Sequence, residues 1–198
     1  MNPPPTAAST GRARSSMTTP VKRSASVMRM GISNFHRLKI FWSLAATVLL
    51  LDQATKWLIV DVSGFALGAY PPHGGLEIVP GFFSLVYAVN YGAAWGMLQG
   101  FTFLLVGLAV LVLVLLAVFH RSLELHKPLH QLCFGLITGG ILGNTLDRVF
   151  RGHVVDFLDF HLSFYRWPTF NLADSAIVAG TFLYIFLQFR PPRRATGP

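Results

Sequence analysis

Acidic side chains are scarce in this 198-residue chain, which has eight Asp and Glu, yet three of them fall within thirteen positions. Asp147, Asp156 and Asp159 lie in GGILGNTLDRVFRGHVVDFLDFH, directly after an apolar, glycine-rich run. Carboxylates at this spacing can form ion pairs, bind a metal ion or transfer protons. Because an ionisable group inside a membrane span costs roughly 2.5–3.5 kcal/mol at the centre, such groups normally face a protein interior or a wet cavity, and often serve a function.

Four residues of this stretch belong to types that bind zinc: His153, Asp156, Asp159 and His161. If VVDFLDFH is extended, Asp156 points to one face and the other three residues point to the opposite face. Four ligands do not converge from one strand, so we expect no metal site and no cofactor. The single cysteine, Cys133, excludes an intramolecular disulfide and is expected to be inert packing.

Helical spacing places other polar residues on shared faces. Three sets are related as i, i+3 or i+4: Asn144 with Asp147 and Arg148, Asn171 with Asp174, and Asp52 with Lys56. The simplest interpretations are structural: ion pairs within Asp52–Lys56 and Asp147–Arg148, and an Asp174 that the helix dipole stabilises. For Asp156 and Asp159 the corresponding interpretation is a solvated loop, expected to hold for one of them. A Ser175–Lys56 nucleophile pair is disfavoured because Lys56 already has an acidic partner.

Long apolar runs dominate the chain, which is 53% hydrophobic and 12% charged. Soluble domains carry about 25% charged residues, so this composition indicates a bilayer rather than a large soluble core. Four segments approach the ~20 residues needed to cross a membrane, at about 40–60, 101–119, 129–149 and 170–189. The sequence therefore predicts an all-α polytopic membrane protein with four transmembrane helices over residues 40–190, between basic tails at 1–39 and 191–198.

Lysine and arginine counts in the flanks predict the orientation. Residues 1–39, residues 190–198 and the 120–128 connection hold twelve of these residues, whereas the opposite side holds three, Arg148, Arg151 and Arg166. Both termini are therefore expected in the cytoplasm. Helical rise then brings the polar residues of different spans to one level near the outer surface. Turn signals around LEIV and FFSLVYAV predict a small extracytoplasmic β element on that side.

Small residues predict how two of the spans pack. Gly135, Gly139 and Gly143 form a stripe that allows close helix contact, and Ala176 and Gly180 are expected to supply the matching surface. This packing would bring Asp174 close to the end of the third span.

Residues 1–39 hold seven Lys or Arg and no acid, which predicts a basic disordered cytoplasmic tail. The tail lacks the apolar core and cleavage site of a secretory signal peptide. An organelle transit peptide also fits its composition, with Met17, Met28 or Met30 as alternative starts, but a cytoplasmic extension is favoured. The net charge of +8 is unevenly spread, and no nucleic-acid partner is expected.

Five motifs occur in order along residues 38–190: DQATK at 52–56, NYGAAWG at 90–96, GNTLDR at 143–148, VVDF at 154–157 and FNLAD at 170–174. Their types and order resemble the lipoprotein signal peptidase (signal peptidase II) family. The resemblance implies a bacterial inner-membrane aspartyl protease. Such an enzyme removes the signal peptide from diacylglyceryl-modified prolipoproteins, cutting just before the lipidated cysteine.

The resemblance also implies a role for each motif residue. It makes Asp156 and Asp174 the catalytic pair. Substrate-binding or orienting roles fall to Asn90, Asn144, Arg148 and Asn171, and supporting roles to Asp52, Lys56 and Asp147. Because two close carboxylates cannot both ionise, the pair would hold one proton, with its charged member as base and its neutral member as acid. The implied partners are the lipidated precursor and membrane lipid, and the chain is expected to act as a monomer.

A small transporter or channel is the competing class of function, because a proton or cation path also uses intramembrane acids. Such a path needs polar groups on both sides of the midplane. The inner halves of the predicted spans carry few beyond Thr47, Gln131 and Thr138. The enzyme is therefore favoured.

Overall fold

The computed structural model describes residues 38–162 and 164–189, which contain four long α-helices and one small sheet. The helices are α1 (Lys39–Trp57), α2 (Thr102–Val118), α3 (Pro128–Phe150) and α4 (Leu172–Gln188). A π-helical turn, Leu58–Val62, extends α1. These helices lie close to the four predicted segments. The predicted tails at 1–39 and 191–198 lie outside the described residues, except for Leu38 and Lys39.

Among the described helices, one is both long and apolar enough to cross a bilayer, judged by length and composition alone. It is α1 with its π-helical turn, Lys39–Val62. The helices α2 and α4 are apolar but shorter, with 17 residues each. Seventeen residues give about 26 Å of helix, against a hydrocarbon core of roughly 30 Å. The longer α3 has 23 residues and carries its Asp and Arg residues, Asp147 and Arg148, in its last turns.

The helix α3 is the centre of the bundle, with α1 and α4 packed on two of its faces. A Cβ added at Gly139 would lie 2.7 Å from the Ala45 carbonyl oxygen, so this glycine lets α1 approach closely. Gly135 and Gly143 also lie against α1. The predicted contact of this stripe with α4 is therefore wrong for Gly135 and Gly139, whereas a Cβ at Gly143 would also lie 3.3 Å from the Ala173 side chain of α4. The expected approach of Asp174 to the end of α3 is confirmed by its hydrogen bond from Asn144.

The contact between α3 and α4 uses a neighbouring face of α3. Gly140 lies against Ala173 of α4, and Gly180 of α4 lies against Cys133 of α3. The pattern of small residues marks a face for close packing, but it does not identify the partner, because α1 also offers small residues such as Ala45. The helix α2 packs on α3, and none of its residues is buried.

The sheet has four antiparallel strands in the order β1-β2-β3-β4. They are β1 (Leu76–Val79), β2 (Phe83–Asn90), β3 (Val154–Leu162) and β4 (Tyr165–Arg166). The first two are the strands that turn signals predict. The strand β3 follows α3 directly, after a turn at Gly152, whose φ of 76° is in the left-handed region that suits glycine. Val155 and Phe157 of β3 pack on Ile59 of the π-helical turn, which ties the sheet to the end of α1.

We expect a Gly139→Ala substitution to destabilise the bundle. The added methyl group would meet the backbone of α1, which cannot move without separating the two helices, so the free energy of unfolding should fall by about 1–3 kcal/mol. Gly107→Ala on α2 is the matched control, because a Cβ there meets nothing within 4 Å. Thermal unfolding in detergent micelles compares the two variants, and equal melting temperatures would contradict this packing.

Candidate active site

A completely buried lysine lies where α1, α3, α4 and β3 meet. The Lys56 ammonium is 2.9 Å from Asp52, 2.8 Å from Asp147 and 3.1 Å from the Asn144 side-chain oxygen. All three charged side chains have no exposed surface. A buried charge needs partners of opposite charge and further hydrogen bonds, and this cluster supplies both. The predicted Asp52–Lys56 pair is present, and Asp147 joins it.

The two carboxylates of this cluster also bind backbone groups of other elements. Asp52 accepts a hydrogen bond from the Ala173 N–H at the start of α4, at 2.9 Å. Asp147 accepts one from the Val155 N–H in β3, at 3.2 Å. The Lys56 cluster therefore joins α1 and α3 to both elements that carry the proposed catalytic residues.

Gln53 is a site residue that the sequence prediction missed. Its side-chain nitrogen lies 3.1 Å from Asp52, 3.3 Å from Asp147 and 3.2 Å from the Gly143 carbonyl oxygen. Its position beside Asp52 in the DQATK motif is the sequence feature that indicates a role. A polar side chain alone does not distinguish a buried glutamine from one that is exposed to solvent.

Asn171 links the two predicted catalytic residues, Asp156 and Asp174. Its side-chain nitrogen donates to Asp156 at 2.7 Å, and its side-chain oxygen accepts from the Asp174 N–H at 2.9 Å. Asp174 in turn accepts from the Asn171 N–H at 3.3 Å. This reciprocal arrangement is a capping box at the start of α4. Asn171 has no exposed surface, so its orientation is fixed by these bonds.

Asn144 connects this pair to the Lys56 cluster. Its side-chain nitrogen donates to Asp174 at 2.7 Å, and its side-chain oxygen accepts from both Lys56 and Asn171, each at 3.1 Å. One asparagine thus contacts the buried cation, the cap of α4 and a proposed catalytic carboxylate.

Asp156 lies in β3 and is 2% exposed. Burial and the nearby negative charge of Asp174 raise the pKa of Asp156 to about 7, against weaker opposing effects from Asn171, Asn90 and Lys56. A carboxyl group with this pKa can hold a proton near neutral pH and also release it. This is the property that proton transfer to and from a substrate requires.

Arg148 and Asn90 both bind the loop that follows β2, beside the site. The Arg148 guanidinium donates to the Gly92 carbonyl oxygen at 2.7 Å and to that of Asn144 at 3.4 Å. Asn90 accepts from the Gly92 N–H at 2.9 Å, so both residues hold the loop after β2. The predicted Asp147–Arg148 ion pair is wrong: Asp147 bonds instead to Lys56 and, at 3.5 Å, to Arg151. Consecutive residues of a helix do not face each other.

The other residues considered for chemistry lie elsewhere. Asp159 is fully buried and bound by His161 and Arg166, so the solvated loop expected for one of Asp156 and Asp159 fits neither. Burial acts to raise the pKa of Asp159, but hydrogen bonds from Arg166 and His161 outweigh it and hold the pKa below its usual range. Within the described residues, no group of three or more His, Cys, Asp or Glu could hold a metal ion. The Ser175 hydroxyl donates to the Asn171 carbonyl oxygen.

Comparisons with known proteins agree on one family. The family model for signal peptidase (SPase) II matches residues 44–190. The lipoprotein signal peptidase of Symbiobacterium thermophilum is 40% identical over 150 residues, which are 74% of this chain and 94% of that protein. That of Nitratidesulfovibrio vulgaris is 38% identical over 167 residues, which are 81% of this chain and 96% of that protein. A bacterial membrane enzyme solved by the in meso method at 1.9 Å has a TM-score of 0.64 and 32% identity, over 74% of this chain and 90% of its own.

We expect Lys56→Met to be strongly destabilising. It would leave Asp52 and Asp147 buried without their cation, which typically costs about 3–5 kcal/mol. Lys127→Met is the control: it also breaks a lysine–carboxylate pair, at 2.7 Å from Glu124, but there the side chains are 50% and 43% exposed. An exposed pair contributes little to stability, because water and salt screen it. Melting temperatures in detergent should separate the variants, and a small loss for Lys56→Met would contradict the role of this cluster.

Proposed function

Since the chain belongs to the signal peptidase II family, we propose that it removes the signal peptide from diacylglyceryl-modified prolipoproteins by cutting before the lipidated cysteine. The family is one of peptidases, which favours this function over the transporter class. The observation that carries the proposed mechanism is the Asn171 side chain, which hydrogen-bonds to Asp156 and to the backbone of Asp174 together.

In the proposed reaction, Asp156 and Asp174 share one proton. The ionised carboxylate removes a proton from a water molecule while the oxygen of that water attacks the scissile carbonyl carbon. The protonated carboxyl then donates its proton to the departing amide nitrogen. The pair ends with one proton, as it began, so no metal ion or covalent intermediate is required.

The neighbouring side chains suit this division of labour. Asn171 and Asn144 each donate to one carboxylate of the pair at 2.7 Å, which orients the two groups before substrate arrives. We assign Arg148 and Asn90 to substrate binding, because they hold the loop after β2 beside the site. Asp52, Lys56 and Asp147 support the pair through Asn144 and the backbone of α4 and β3.

A groove between α2, α3 and α4 offers a place for the apolar part of the substrate. Its cavity volume is about 200 Å³, and its lining is Leu108, Ala109, Val112, Ile141, Asn144, Thr145, Arg148 and Ile177. The lining is apolar except near Asn144 and Arg148, at the end where the carboxylates lie. An apolar side chain of the substrate or part of an acyl chain in this groove would bring a neighbouring bond to the carboxylate pair.

The proposed setting is the bacterial inner membrane, with four spans and both termini in the cytoplasm. The distribution of Lys and Arg supports this orientation. The sheet and the carboxylate pair would then lie at the outer face, where a substrate anchored by its diacylglyceryl group presents its scissile bond. Membrane lipid and the precursor are the proposed partners of a monomeric enzyme.

Asp156→Asn and Asp174→Asn should each abolish cleavage of a lipidated precursor peptide. Each variant lacks one proton-transfer group, so we expect a loss of at least about 10²–10⁴-fold in turnover. Asp61→Asn is the control, because Asp61 is exposed on the π-helical turn. Wild-type turnover by either site variant would refute the carboxylate mechanism. Equal cleavage of a peptide without the diacylglyceryl group would refute the substrate assignment.

Activity should fall as the pH rises through about 7, the pKa of Asp156. Below this value the pair keeps its shared proton, and above it both carboxylates ionise and the acid is lost. The native state also binds the Asp156 proton more tightly than the unfolded chain does. Its stability should therefore decline as the pH rises from the ordinary carboxyl range towards 7. A pH profile of kcat/KM in detergent tests the expected fall in activity, and a rate that stays constant through neutral pH would contradict it.

A further inference from the structure

A second ion pair, between a buried carboxylate and a partly exposed guanidinium, lies on the strand that carries Asp156. Asp159 has no exposed surface, and Arg166 binds both of its oxygens, with Nε at 2.9 Å and Nη2 at 2.7 Å. His161 adds a third contact at 2.6 Å. A guanidinium that binds both carboxylate oxygens fixes orientation as well as distance, and a lysine cannot reproduce this geometry.

The same arginine reaches a third segment. Its guanidinium carbon lies 3.6 Å from the centroid of the Tyr70 ring, in cation–π contact. Tyr70 belongs to the loop between the π-helical turn and β1, and the Gly68 N–H in that loop donates to the Tyr87 carbonyl oxygen of β2 at 2.8 Å. Arg166 therefore connects β3, β4 and this outer loop.

The position of the pair along the chain relates it to the site. Asp159 follows Asp156 by three residues in β3, and Arg166 lies in the segment that leads from β3 to Asn171. The ion pair between them therefore closes the connection between Asp156 and the start of α4. Backbone hydrogen bonds close the same connection nearer the site, where Leu158 and Phe170 exchange N–H···O bonds at 2.8 and 3.1 Å. The backbone bonds join β3 to the residue before Asn171. Farther along the connection, Arg166 holds β4 to Asp159 of β3 and to the Tyr70 ring.

We propose that Arg166 is a positioning residue for cleavage, which holds the outer connection and the Tyr70 loop against β3 so that Asp156 keeps its place opposite Asn171. The proposal rests on the proposed function, because it assigns Arg166 a part in that reaction. It acts through the geometry of the carboxylate pair, and a displacement of about 1 Å at a reacting group can cost up to about 10²-fold in rate. The effect should therefore fall on kcat more than on KM.

The test compares a graded series of variants with the lipidated precursor peptide in detergent. Arg166→Met removes the ion pair and the cation–π contact, Arg166→Lys keeps the charge but loses the two-oxygen geometry, and Tyr70→Leu removes the ring alone. Tyr70→Phe retains the ring. Lys127→Met controls for loss of an exposed ion pair. Hydrogen–deuterium exchange over residues 153–171 reports the order of the connection independently of activity.

We expect kcat to fall about 10-fold or more for Arg166→Met, less for Arg166→Lys and Tyr70→Leu, and not for Tyr70→Phe or Lys127→Met, with KM nearly constant. Exchange over 153–171 should rise in the same order. If Arg166→Met does not fold, Arg166→Lys and Tyr70→Leu decide the question.

Two results would overturn the proposal while wild-type enzyme cleaves the peptide. One is wild-type kcat in both Arg166→Lys and Tyr70→Leu, and the other is a change confined to KM. A wild-type protein that leaves the lipidated peptide intact would instead refute the proposed function, and the exchange measurements would still show whether Arg166 orders the connection.

Discussion

One buried cation sets the arrangement of the whole site. An isolated ammonium group in a low-dielectric interior is so unfavourable that Lys56 must be matched by negative charge and hydrogen bonds. Asp52 and Asp147 supply the charge, from α1 and α3. Their carboxylates also accept hydrogen bonds from the N–H groups of Ala173 and Val155, at the start of α4 and in β3. Neutralising Lys56 therefore fixes the two segments that carry Asp156 and Asp174.

The proton of the proposed catalytic pair depends on the surroundings of the pair itself. Burial raises the pKa of Asp156, the negative charge of Asp174 adds to this effect, and Lys56 opposes it. Because two close carboxylates repel each other when both are ionised, retaining one proton on Asp156 and Asp174 relieves that repulsion. The Lys56 cluster therefore orients the pair, while burial and mutual repulsion favour the protonation state that the proposed reaction needs.

Sequence patterns predict local features well here and spatial partners poorly. Apolar runs locate the four helices, and motif order identifies the residues that the structure brings together around Asn171. The partner of Asp147 was missed because adjacency in sequence suggested Arg148, whereas the helix directs the two side chains apart. Burial of Asp159 was missed because its partner Arg166 approaches only once β3 and β4 pair. Contacts made across elements depend on the folded topology, which spacing along one segment does not encode.

The shared proton is the central claim, and infrared spectroscopy tests it most directly. A protonated carboxyl group has a carbonyl stretching band that an ionised one lacks, so a pH titration in detergent follows its loss. We predict a band that disappears with a midpoint near pH 7 in the wild-type protein and is absent from Asp156→Asn. Full ionisation of every carboxyl group well below neutral pH, or an unchanged band in Asp156→Asn, would contradict the account.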